Sequence, residues 1–95
     1  MSLLPEEAVV GYLNRCLKLF EALLPLLPEK GTETAAGPEL EAFEKLVADL
    51  SQERERDSYL SDEAWNWIWK GKPSYTYLQL YGRLAWIHYE LFQLL

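Results

Sequence analysis

Near the start of the chain, Val9, Leu13, Cys16, Leu17, Phe20, Leu23, Leu24 and Leu27 recur at three- and four-residue intervals, while Gly11, Asn14, Arg15, Lys18 and Ala22 fall on the other side. A helix turns about 100° per residue, so this spacing predicts one amphipathic helix with its apolar face toward a core. Tyr12, Leu19 and Leu26 form a flanking stripe that widens that face. Pro5 suits a first helical turn, and Glu6 and Glu7 complement the positive end of the helix dipole. Pro25 predicts a kink or an end near Leu24, and Pro28 predicts a stop.

Residues 29–37 hold two glycines, two threonines and no large apolar side chain. They read as a loop, with the mobility of a segment that little holds down. Gly37, Pro38 and Glu39 open a second helix whose Leu40, Phe43, Leu46, Val47 and Leu50 keep helical phase. Its continuation through residues 51–57, SQERERD, offers nothing to bury and reads as solvated helix.

Residues 62–70 predict a short third helix, with Ser61 or Asp62 as its cap and Gly71 and Pro73 as its stop. Trp65, Ile68 and Trp69 share one face of it and are expected in the core. Trp67 groups instead with Ala64. Pro73 and Ser74 are expected to begin a fourth, long helix running to the C-terminus. Its buried stripe is Tyr77, Leu80, Tyr81, Leu84, Ile87 or His88, Leu91, Leu94 and Leu95, with Leu78, Ala85, Tyr89 and Phe92 as a second. Gln79, Arg83, Trp86, Glu90 and Gln93 form the remaining, mostly polar stripe. A helix apolar over so much of its circumference is either central in its bundle or shared with another chain.

These elements predict an all-α fold: a small four-helix up-down bundle with three long helices and one short third helix, in a single domain over residues 1–95. A hydrophobic fraction of 49% and an aromatic fraction of 14% supply a core for a chain of 95 residues and argue against disorder. The single cysteine, Cys16, rules out an intramolecular disulfide. With no apolar run long enough to span a bilayer, the expected location is the cytoplasm and no membrane partner is expected.

Charge narrows the partners. The net charge is −6, concentrated in residues 29–63, where eleven acidic residues face four basic ones. Such a surface repels phosphates, and no basic stripe offsets it, so direct nucleic-acid binding is not expected. One histidine and one cysteine make no recognised metal spacing, and no glycine-rich phosphate loop is present. No cofactor, metal or catalytic residue is therefore assigned. The expected function is a non-enzymatic protein-interaction module, a small adaptor or subunit that offers an aromatic helical surface to a protein partner or to a second copy of itself. Trp67, Arg83, Trp86 and Tyr89 are its candidate partner-binding residues, because Trp, Tyr and Arg dominate interface anchors. The alternative is an acidic stoichiometric inhibitor that uses Glu53, Glu55 and Asp57 to block a basic site on an enzyme or nucleic-acid-binding protein.

Overall fold

The computed structural model describes residues 5–57 and 75–95, with side chains through residue 52 in the first of these segments. Within them the chain is helical: α1 (Glu6–Leu23), a 3-10 turn (Leu24–Leu26), α2 (Leu27–Lys30), α3 (Gly37–Asp57) and α4 (Tyr77–Phe92). The expected third helix over residues 62–70, with Trp65, Trp67 and Trp69, lies outside the described residues.

α1 ends where Pro25 removes a backbone donor, and the chain tightens into the 3-10 turn. Pro28 does not stop the chain as expected. It falls in the first turn of α2, where the missing N–H has no helical partner to lose. α3 opens on Gly37, whose φ of 74° places it in the left-handed region that glycine tolerates best. Thr76 caps α4 through a reciprocal pair: the Gln79 N–H donates to Thr76 Oγ1 at 3.1 Å, and the Thr76 N–H donates to Gln79 Oε1 at 3.0 Å. The Thr-x-x-Gln spacing of a capping box thus places the helix start at Tyr77, later than the expected Pro73 and Ser74.

The segment following α2 is tied down rather than loose. Thr34 and Thr76 form an isolated antiparallel bridge. Around it the Ala35 N–H donates to the Tyr75 carbonyl at 2.7 Å, the Tyr77 N–H to Glu33 at 3.0 Å and the Leu78 N–H to Gly31 at 2.9 Å. The Tyr77 hydroxyl donates to the Ala36 carbonyl at 3.2 Å, and both Ala35 and Gly31 are buried. Small polar residues read as mobile in sequence. Here their backbone groups find partners 40 to 47 residues away, and that pairing overrides the composition.

The same bonds set the topology. They bring the end of α2 to the start of α4, so α4 returns antiparallel along α1. α3 also runs antiparallel to α1: Ala22 and Pro38 line one end of their groove, and Arg15 meets Asp49 toward the other. The core draws on all three long helices, with Val9, Leu13, Cys16, Leu19 and Leu23 from α1, Phe43, Leu46, Val47 and Leu50 from α3, and Leu80, Leu84, Ile87 and Leu91 from α4. Tyr75 packs its ring edge-on against Phe43 at 5.7 Å.

Leu95, expected in the main buried stripe of the last helix, is 56% exposed beyond the end of α4, and two further parts of the expected core lie outside it. Leu17 and Leu24 are 49% and 52% exposed, because the buried arc of α1 centres on Cys16, Leu19 and Leu23 rather than on Phe20. The second apolar stripe of α4 is exposed along its length, with Leu78 at 55%, Tyr89 at 59% and Phe92 at 56%.

Candidate protein interface

Of the proposed partner-binding residues, the described ones, Arg83, Trp86 and Tyr89, differ in exposure. Arg83 is turned inward, its guanidinium 4.6 Å from the centre of the Tyr75 ring, a cation–π contact that anchors the start of α4. Burial pushes the Tyr75 phenol above its ordinary pKa and the Glu44 carboxylate adds to the rise, while the charge and hydrogen bond of Arg83 oppose it. Trp86, three residues on, is half-buried and packs against the core cluster. Of the three described residues, only Tyr89 presents most of its side chain outward. Trp67 lies outside the described residues. Glu53, Glu55 and Asp57 stand on the last turns of α3, with their side chains outside the described set.

A different surface emerges from the two stripes that the core leaves out. On α1 and the 3-10 turn that follows it, Val10, Leu17 and Leu24 repeat every seven residues and are exposed at 41%, 49% and 52%. On α4, Leu78, Ala85 and Phe92 repeat at the same interval, with Tyr89 beside them. A seven-residue step closes two turns to within about 20°, so each set forms a line down its helix. Between the lines runs a floor of rings. Phe20 lies 5.0 Å from Tyr81 and 5.8 Å from His88, and His88 stacks on Phe92 at 6.2 Å with an interplanar angle of 20°. Phe20 reaches residues one heptad apart on α4, which places both stripes on the same side of the α1/α4 seam.

Sequence reasoning named Tyr89 but missed Val10, and it assigned Leu17, Leu24, Leu78 and Phe92 to burial. The heptad repeat was the available signal. Two apolar lines in register with each other, beyond what one helix contact needs, mark a helix pair with a second apolar side.

The opposite edge of α1 is built differently. The Arg15 Nη1 donates to Asp49 Oδ2 at 2.9 Å, and Lys45 approaches the same oxygen at 3.7 Å. Arg15 and Lys45, together with Lys18 and Glu39, border a groove of about 340 Å³ over Leu19, Ala22, Ala42 and Leu46. Arg15 also stands 5.5 Å from the Tyr12 ring.

Catalytic chemistry has little to start from among the described residues. No group of three or more His, Cys, Asp or Glu side chains is placed to hold a metal ion. Cys16 is fully buried, and desolvation pushes its thiol up to about 12 against a small opposing pull from Arg15, so the reactive thiolate is suppressed at neutral pH. No helix among the described residues is long and apolar enough to cross a membrane. The chain matches no protein-family model, no curated protein and no solved structure.

Proposed function

We propose that the chain is a non-enzymatic protein-interaction module of the cytoplasm, an up-down helical bundle that binds another protein surface through the outer face of α1 and α4. The observation that carries this reading is the pair of exposed heptad stripes, Val10, Leu17 and Leu24 beside Leu78, Tyr89 and Phe92. Six apolar side chains, each roughly half exposed, line one side of the α1/α4 pair, and an exposed apolar patch of roughly a few hundred Å² on a monomer often marks an interaction site. In this reading Tyr89 contacts the partner directly, whereas Arg83 and Trp86 act from beneath by fixing the orientation of α4.

The reading is tested by affinity capture from the native host with the wild-type chain, with Leu17→Glu and Phe92→Glu, and with Lys45→Glu on the opposite edge of α1. The two face variants are expected to lose the co-purifying chains, tagged second copies included, and Lys45→Glu to retain them. Recovery of the same chains by all four proteins would overturn the assignment of this face.

A further inference from the structure

We infer that the groove between α1 and α3, on the opposite edge of α1 from the α1/α4 face, is a binding site for a small amphipathic anion: a short apolar chain ending in one carboxylate. The register of the two helices fixes its layout. Arg15 meets Asp49 across the seam, so antiparallel pairing sets Lys18 and Leu19 level with Lys45 and Leu46, and Ala22 level with Ala42. The cations thus gather at one end. Leu19 and Leu46 are buried beneath the groove, and the two alanines leave it open where longer side chains would fill it. Its volume of about 340 Å³ lies low in the ~300–1,000 Å³ range of small-molecule sites, and the stretch from Lys45 back to Pro38 covers about 10 Å at ~1.5 Å per residue. That length suits a short acyl chain.

Charge selects the head group. Five basic residues have described side chains, Arg15, Lys18, Lys30, Lys45 and Arg83, and three of them border this one groove in a chain of net charge −6. Asp49 accepts from Arg15 at 2.9 Å and is approached by Lys45 at 3.7 Å, while Lys18 has no ion-pair partner among the described residues. Three cations against one carboxylate leave this end of the groove positive, which favours an anion. Glu39, in the first turn of α3, borders the groove one turn beyond Ala42 at the other end, where it repels a second negative charge. The site therefore favours a monocarboxylate over a dicarboxylate, with its head between Lys18 and Lys45 and its chain over Ala22 and Ala42 toward Pro38. Because Lys45 is 74% exposed, the ion pairs are screened and the apolar floor supplies much of the affinity.

The site is tested by titrating the full chain, with isotope-labelled alanine and leucine methyl groups, with three probes: octanoate, octylammonium of the same chain and opposite charge, and suberate with a carboxylate at both ends. Octanoate is expected to shift the Ala22 and Ala42 methyl resonances saturably, with a dissociation constant of ~1 mM for a ligand of this size. It should bind at least about tenfold more tightly than octylammonium and about threefold more tightly than suberate, and the preference should shrink with added salt. Lys18→Glu, which reverses a head-group charge, and Ala42→Leu, which fills the floor, should each weaken octanoate by about tenfold, and both positions are exposed, so the helices are retained. Equal affinity for octanoate and octylammonium would overturn the cationic head site. So would unchanged affinity in both variants, or an absence of saturable shifts up to about 10 mM. Shifts largest at Leu17 and Leu24 would place the probe on the α1/α4 face instead and overturn the assignment of this groove.

Discussion

α1 has two edges, and they are finished in different ways. Toward α3, Arg15, Lys18, Lys45 and Asp49 close the seam with charges that can stand in water. Toward α4, the seam continues outward through Phe20, Tyr81 and His88 to Leu17, Leu24 and Phe92 without a charged side chain among them. A charged rim marks where a domain meets solvent, and an apolar rim marks where its packing is incomplete. The contrast teaches that exposure alone does not identify a surface for binding. Lys45 is 74% exposed and belongs to the closed edge, whereas Leu17 at 49% belongs to the open one.

The strongest way to break this comparison is to truncate one residue from each side of α4. Leu84 is completely buried, so Leu84→Ala should cost about 2–5 kcal/mol of stability. Phe92→Ala, on the open edge, should change the stability of a dilute monomer by no more than about 1 kcal/mol. Urea unfolding at low protein concentration measures both, and equal losses would mean that Phe92 already belongs to a completed core.

The next effect is a loss of stability in alkali. The Cys16 thiol ionises near 9 in the unfolded chain and at about 12 in the folded one, so between these values the unfolded state releases the proton first. Stability from this group is therefore complete below pH 9 and falls as pH rises toward 12, by at most about 1.4 kcal/mol per pH unit. Denaturation curves from pH 8 to 11 should flatten in Cys16→Ala relative to wild type. A variant with an unchanged slope would show that α1 admits solvent at Cys16.

Smaller changes sharpen the account of how α4 is held. Thr76→Ala removes one half of the capping box and should destabilise by about 1 kcal/mol, with thermal unfolding as the measure. Asp49→Asn removes the shared partner of Arg15 and Lys45. Because all three side chains are at least 31% exposed, the cost should be about 0.5–1 kcal/mol and should shrink with added salt. An effect that is larger and insensitive to salt would make the α1/α3 edge part of the core.

Much of this was legible in the sequence, and the failures have physical causes. Helical periodicity identified α1, α3 and α4 and placed Leu80, Leu84 and Leu91 correctly in the core, while leaving open Ile87 or His88, of which Ile87 is the buried one. Periodicity gives the direction of an apolar arc but not its centre, so Leu17 and Leu24 were assigned to the wrong side of the boundary. Thr76 and Gln79 carried a readable start signal for α4, which Pro73 obscured. The pinned segment after α2 was not legible, because its stability comes from backbone pairing of Gly31, Glu33 and Ala35 with residues 75–78 rather than from side chains. Trp86 was less legible: its place on a polar stripe suggested a surface position, yet a large ring at the margin of a helix can pack partly against the core beside it.

The claim that the α1/α4 edge is a binding surface is tested most directly by sedimentation velocity of the wild-type chain and the Leu17→Glu, Phe92→Glu double variant. Each is run alone over a range of concentrations and with host extract, beside thermal unfolding of the dilute chains. The account predicts that the wild-type chain sediments in an assembled form that the double variant cannot enter, while both unfold within a few degrees of each other. Identical sedimentation of the two proteins under every condition would contradict it.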